Sequence, residues 1–277
     1  MSRLPPQERP SKAPRRHLSS VVFMTSLAVT ASLYPFFVAL LFLSSATFPR
    51  GLSIWSPWED PAIRHAAGLS LATSLLAAAL SVCLAIPSGY VLSRYRFPGW
   101  RFLDVLLYLP IVLPPLVVGV SLLIFFQTFA GKLIERSLLT FTFAVPGIVL
   151  AQTLMGTGFA IRIIKLAFDG VSPKRAGVAR TLGATRWQAF WRVELAEARR
   201  GLVEAFFLAW ATAFGTFGPV ILLCGTTRLR TEVLSTSIFL EFSIGNLDRA
   251  LILSIWMGVV ASAVVLVVRG RARRPLW

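Results

Sequence analysis

Side chains able to do covalent or metal chemistry are scarce in this 277-residue chain. Its two cysteines, Cys83 and Cys224, each sit inside an apolar run without a C-x-x-C partner. Neither a disulfide framework nor a thiolate metal site follows from that spacing. The two histidines, His17 and His65, stand at the edges of apolar runs, which suits interfacial side chains better than ligands. There is no G-x-x-x-x-G-K-[ST] phosphate loop, no Ser–His–Asp or H-E-x-x-H constellation, and no carboxylate pair arranged for acid–base work. Catalysis by this chain alone is not expected. The chemistry left to it is mechanical, and two kinds of segment carry it: interrupted apolar runs and a basic, strongly capped connection.

The interruptions come first. Leu109-Pro110-Ile111-Val112-Leu113-Pro114-Pro115 removes several backbone donors within one apolar run, and Gly119 follows closely. Gly215-Thr216-Phe217-Gly218-Pro219 interrupts another. Pro114 lies 13 residues past Arg101, about 20 Å along a helix at 1.5 Å per residue. The second break stands a comparable distance from its own start. Irregular backbone at membrane depth is tolerated where protein or a water-filled cavity covers it, and breaks at matching depth are where solute pathways form. Ordinary kinks are the alternative reading, since Gly and Pro are common in membrane helices.

The basic connection from Arg162 to about Glu204 reads as two short helices. Ser172 and Pro173 supply an N-cap and a first helical residue. Ala176, Ala179 and Leu182 then recur at helical spacing, giving a narrow face of small side chains, and Gly183 stands where a left-handed C-cap is wanted. Thr185 and Gln188 have capping-box spacing, and Trp187, Phe190, Trp191 and Val193 give the second helix a bulky apolar side. Such a pair of helices fits docking into a partner's groove. It fits equally well folding back onto the membrane surface, with Arg and Lys at lipid headgroups.

These segments need a scaffold, and composition says which. The chain is 56% hydrophobic and only 14% charged, with a mean hydropathy of +0.71, well away from soluble averages. An ordinary cytosolic enzyme and a disordered chain are excluded. Six stretches free of charged residues and histidine lie near Val21–Phe48, Ala66–Leu92, Val105–Ala130, Ser137–Ile161, Ala205–Thr227 and Ala250–Val268. Each is long enough for a bilayer core that needs roughly 17–25 helical residues. Period-two alternation is absent, so an all-α membrane protein with six transmembrane helices is expected, not a barrel.

The first run is too long for the core of a cleavable signal and reads as a retained span. The segments before it, at 93–104, at 162–204 and after the last span hold 21 of the 28 Lys and Arg, against seven on the other side, while Asp and Glu divide six to six. By the positive-inside rule both termini are cytoplasmic. The +16 net charge then reflects phospholipid and topology, with no nucleic acid implied. Residues 1–20 read as a disordered basic tail, 21–48 as the first transmembrane helix, 66–268 as the main transmembrane domain including the 162–204 connection, and 269–277 as a second cytoplasmic tail. The spans lack the ionisable groups that ion-coupled carriers use, so the energy for transport is expected from another subunit.

Phe168-Asp169-Gly170-Val171-Ser172-Pro173, then Ala179-Arg180-Thr181-Leu182-Gly183-Ala184-Thr185, then Phe190-Trp191-Arg192-Val193-Glu194-Leu195 resembles the EAA loop of ABC-importer permeases. Aligned on Gly183, the motif's E-A-A corresponds to Gly177-Val178-Ala179, and its I-x-L-P to Val193, Leu195 and Ala196. Gly177 in place of Glu and Ala196 in place of Pro are departures. Tyr90-Val91-Leu92-Ser93-Arg94 with Phe97-Pro98-Gly99 is similar to the family's second cytoplasmic turn. Leu113-Pro114-Pro115 through Gly119 and Gly215-Thr216-Phe217-Gly218 are similar to molybdate, tungstate and sulfate permeases, with Thr216 where those carry Glu. Thr231-Glu232 and Gly245-Asn246-Leu247-Asp248 are similar to the segment leading to their last span.

The resemblance implies the type I ABC-importer permease fold with cytoplasmic coupling helices, in a bacterial cytoplasmic membrane. It implies an ABC ATPase subunit, an extracytoplasmic solute-binding protein and a second permease, either another copy or a paralogue. No cofactor is expected on this chain, ATP and Mg belonging to the ATPase. The coupling residues it implies are Ser172, Pro173, Ala176, Gly177, Ala179, Leu182, Gly183, Ala184, Phe190, Val193 and Leu195. The pathway residues are Pro114, Pro115, Gly119, Gly215, Thr216 and Gly218. External loops Pro49–His65 and Arg228–Arg249 are expected to meet the binding protein. The implied solute is an oxyanion, with polyamine or ferric iron as the alternative within the class and an ion-coupled carrier as the alternative outside it.

Overall fold

A computed structural model of the protein describes residues 15–47 and 53–272. The first 14 residues of the expected tail and the last five of the chain lie outside the described residues. The described residues are helical, with no strand among them. Helix α1 (Arg15–Thr47) forms a unit by itself. It starts before the expected Val21, and its Phe23–Ser44 stretch is apolar enough to cross a membrane while burying none of its window.

In the second unit, α2 (Pro61–Arg94) and α6 (Val145–Asp169) are unbroken spans, as is Leu247–Leu266 within α12 (Leu247–Ala272). The other two spans are bent. Helices α3 (Trp100–Val112) and α4 (Pro115–Gln127) meet at 108°, and the helical run Arg186–Gly215 meets α10 (Gly218–Cys224) at 57°. Counting each bent pair as one span gives the expected six. Short helices α5 (Phe129–Ser137) and α11 (Leu234–Ser243) complete the far end, the end opposite the basic connections.

Several boundaries differ from those expected, each for a local reason. Helix α2 starts at Pro61 because Asp60 caps it, its Oδ1 accepting from Ala62 N at 2.8 Å. Arg64 and His65 are thereby drawn into the helix. Helix α6 starts at Val145 and not at Ser137, because Glu135 pins the preceding loop. Its Oε1 accepts from Phe141 N at 2.9 Å and Thr142 N at 2.7 Å. Those backbone donors hold the Glu135 carboxyl below its usual range. Helix α6 also runs on to Asp169, so the true connection is shorter than 162–204.

The core joins α2, α6 and the helix that follows the basic connection, α9 (Leu195–Gly215). Where no water competes, helices associate through close backbone approach at small residues. Ala78, Ala85, Ala160, Ala205 and Ala209 are fully buried there. A Cβ on Gly156 would sit 2.9 Å from Ser81 Oγ and 3.3 Å from Ala209 O, and one on Gly89 would sit 3.0 Å from Lys165 N. Ser81 also donates to Thr153 O at 3.1 Å, tying α2 to α6 at mid-span.

Candidate functional site

The two helix breaks, separated by about a hundred residues in sequence, are packed on each other. Helices α4 and α10 both begin just after their break, with Pro115 and Pro219 in their first turns. Gly119 and Gly218 are the points of contact. A Cβ on Gly119 would lie 2.8 Å from Pro219 Cα and 3.1 Å from Gly218 O. One on Gly218 would lie 3.2 Å from Leu116 N. Both glycines are buried, as is Thr216, whose hydroxyl donates back to Thr212 O at 2.7 Å. Pro114, Pro115 and Gly215 are exposed. Of the six residues expected along a pathway, Gly119 and Gly218 hold the breaks together, Pro115 borders that contact while exposed, and Pro114 and Gly215 are exposed. Ser235 donates to Thr216 O at 3.0 Å, so α11 also leans on the second break.

At the basic end, α7 (Pro173–Thr181) has no buried residue. Its start is not fully as expected. Ser172 takes the N-cap backbone conformation, but its side chain makes no capping bond. The end of α7 follows the expectation closely. Gly183, at φ +91°, donates to Arg180 O at 3.1 Å, and Ala184 N donates to Ala179 O at 3.1 Å, the paired bonds of a Schellman motif. The Thr185–Gln188 box is also present, with Thr185 N to Gln188 Oε1 at 3.0 Å and Gln188 N to Thr185 Oγ1 at 3.2 Å.

The second helix is not a separate one, however. Helix α8 (Arg186–Ala189) passes through one wide π-turn (Phe190–Glu194) into α9, with Leu195 N–H donating to Phe190 O. The small face of α7 is half covered at Ala176 and Ala179, whereas Leu182 is 84% exposed. Gly177 and Val178 are exposed, as are Trp187 and Trp191 beyond the cap; Ala184, Phe190, Val193 and Leu195 are half-buried. An apolar edge is thus held off the bundle on a capped, basic helix.

The residues that fix this connection to the bundle lie within the quoted motifs, though only Phe190 among them has an expected role. Glu194 is buried, receiving Tyr90 OH at 2.9 Å and facing Arg94 Nε at 3.2 Å. Ser93 donates to Asp169 Oδ1 at 2.6 Å. Tyr90 stands edge-on between Phe168 and Phe190 at 5.2 and 4.8 Å. Tyr90, Ser93 and Arg94 stand in one quoted motif and Phe168, Asp169, Phe190 and Glu194 in another, but nothing in either pattern says that the two meet.

The far end holds a second unexpected cluster. Asp60 Oδ2 lies 3.6 Å from Arg228 and 3.9 Å from Arg249, and Arg228 pairs with the fully buried Glu241 at 2.6 Å. Asn246 donates to Glu241 Oε2 at 3.0 Å. The two loops expected to be external are therefore joined. Glu232 is buried beside them, its Oε1 accepting from Ser237 at 2.8 Å and its Oε2 without a partner. Burial raises its carboxyl pKa; Ser237 and Arg228 oppose that rise, while Glu241 and Asp60 add to it. No group of His, Cys, Asp and Glu among the described residues is arranged to hold a metal ion.

An all-helical bundle with broken spans and an outlying capped helix is the architecture of a membrane transport subunit. The family model described as the binding-protein-dependent transport system inner membrane component matches residues 81–274, and the chain belongs to that family. It is 36% identical over 200 residues to the molybdenum transport system permease protein ModB of Escherichia coli K12, covering 70% of this chain and 87% of that protein. It is 31% identical over 218 residues to the sulfate transport system permease protein CysT of the same organism, covering 76% and 79%.

A solved bacterial alginate ABC transporter, in complex with an alginate pentasaccharide-bound periplasmic protein, superposes with a TM-score of 0.72 at 18% identity over 94% of this chain and 96% of that chain. The methionine transporter MetNI in an inward-facing conformation gives 0.59 at 19% identity, covering 80% and 100%. The fold is that of type I ABC-importer permeases. The chain is a multi-pass, non-catalytic inner-membrane subunit, and its family works with an ATPase and a solute-binding protein.

Proposed function

We propose that this chain is the permease of an oxyanion importer, carrying molybdate, tungstate or sulfate, with α7 and the start of α8 as the element that docks on the ATPase. The observation that carries the docking reading is the state of α7. A nine-residue helix is too short to be stable alone, yet here it is capped at its end, has no fully buried residue, and presents Val178 and Leu182 outward. Such a surface suits a partner's groove. The excess of Lys and Arg at this end supports placing it, and both termini, in the cytoplasm. ATP binding then moves α7, and the bundle alternates access to solute at the packed breaks around Pro114–Gly119 and Gly215–Pro219.

The oxyanion reading is supported by the names of the relatives and by the absence of fixed acidic charge at the breaks, where helix α4 turns its positive end into the break. A second permease completes the pathway, and the Gly177 and Ala196 departures favour a partner with a fuller motif. ATP-driven uptake of molybdate, tungstate and sulfate into vesicles holding the complete transporter tests the solute. Uptake of none of them, with a polyamine or ferric iron transported instead, sinks the oxyanion reading. Purification of tagged with untagged copies of this chain, without another permease, sinks the paired-paralogue reading.

A further inference from the structure

We infer that Arg94 and Glu194, with Tyr90, are positioning residues that make α7 and α2 move as one piece, so that α2 is the rod by which the ATPase stroke reaches the far end. The inference rests on the reading of α7 as the docking element. A helix standing off the bundle on two flexible strands would absorb a push by bending its own connections. Here the extended entry and the helical exit are both held by one side chain. Arg94 donates through one terminal nitrogen to Val171 O at 2.9 Å, immediately before α7, and sets its Nε against Glu194 Oε1 at 3.2 Å, after it. Entry and exit of the connection are thus tied to the last turn of α2.

Each member is buried enough for the clamp to be stiff. The side chains of Arg94 and Glu194 are 13% and 6% exposed, Val171 is buried, and Tyr90 occupies the other oxygen of Glu194. The planar guanidinium makes these contacts from two different nitrogens, a hydrogen bond from a terminal one and an ion pair at Nε, whereas a lysine ammonium is a single compact charge on a flexible stem. The clamped helix has 34 residues and spans about 51 Å at 1.5 Å per residue. Its other end is no less anchored. Asp60 caps it there and faces Arg228 and Arg249, so displacement of α2 acts directly on the loops of the far end.

The test uses the complete transporter in vesicles, counting molybdate, tungstate and sulfate ions taken up per ATP hydrolysed, together with cross-linking of a cysteine at Val178 to the ATPase. Glu194→Gln and Arg94→Gln are each expected to lower ions per ATP about tenfold, within the roughly 5–150-fold span of coupled sites. The double variant is expected to fall no further than either alone, as for groups acting as one unit. Arg94→Lys keeps the charge but not the fork and is expected to lower the ratio as well, whereas Tyr90→Phe, which removes a single bond, is expected to lower it less. The cross-link yield stays at the wild-type level throughout.

A wild-type ratio in Glu194→Gln or in Arg94→Lys, with the cross-link intact, overturns the clamp. Effects that multiply in the double variant overturn it too. Absence of the Val178 cross-link in the wild-type transporter is the distinct result that would sink the docking reading beneath it.

Discussion

Replacing Gly177 with Glu restores the acidic residue that the EAA pattern has at this place, and the effect on α7 can be worked out beforehand. The position is exposed, and a Cβ built there meets nothing within 4 Å, so no steric cost opposes the change. Removing a mid-helix glycine gains roughly 0.7 kcal/mol. The new carboxylate stands three residues from Lys174 and three from Arg180, and such pairs add about 0.2–0.5 kcal/mol each. The sum is about 1–2 kcal/mol, or roughly 5–30-fold in the equilibrium between closed and opened α7. Hydrogen exchange of peptides covering residues 173–182, measured on the detergent-solubilised permease, reads that factor directly. The variant is expected to exchange more slowly there and at the wild-type rate elsewhere. Unchanged or faster exchange in α7 would refute the view that Gly177 weakens this helix.

Gly183→Val forces a β-branched residue into a left-handed conformation at about 1–2 kcal/mol and undoes the end of α7; uptake per ATP should collapse with membrane insertion intact, and normal coupled uptake would count against the docking model. Gly119→Ala wedges α4 from α10, because the nearest neighbours are mostly backbone atoms that cannot rotate away. Overpacking of this kind costs about 1–3 kcal/mol, visible as a lower thermal midpoint in detergent; an unchanged midpoint refutes the packing of the breaks. Glu232 has a folded pKa above its unfolded one, so its contribution is fully present below the unfolded value and is lost as pH rises through the folded value. Glu232→Gln should therefore flatten the decline of thermal stability across that window, and an identical slope in the variant would show that Glu232 is not the group responsible.

Much of this architecture was legible because the membrane simplifies the reading. Charge-free runs had to become helices, and their count agrees with four continuous spans and two bent pairs. The Thr185–Gln188 box and the Gly183 cap were readable because they are local. Pro114–Pro115 and Gly215–Pro219 were recognisable as breaks, but nothing in a linear pattern says that Gly119 rests on Pro219. Helix starts were misjudged wherever a distant or side-chain partner sets them, as Asp60 does for α2 and Glu135 for α6. Buried charge was harder still. Glu194, Glu232 and Glu241 sit outside the charge-free runs, where surface exposure is the ordinary expectation, and no pattern marks Tyr90, Ser237 and Arg228 as the partners that go with their burial.

The wide turn at Phe190–Glu194 has a consequence for how this chain tolerates change in length. One such turn is equivalent to a single residue inserted in an otherwise regular helix. Losing one residue there would let the backbone rewind without a gap, and everything upstream would keep its direction around the axis, because the bulge alone holds the extra residue. A residue lost at the start of α9 has no bulge to absorb it and would turn everything upstream by about 100° around the axis, so with the rest of α9 seated a deletion that spares folding would nonetheless aim the protruding helix in the wrong direction.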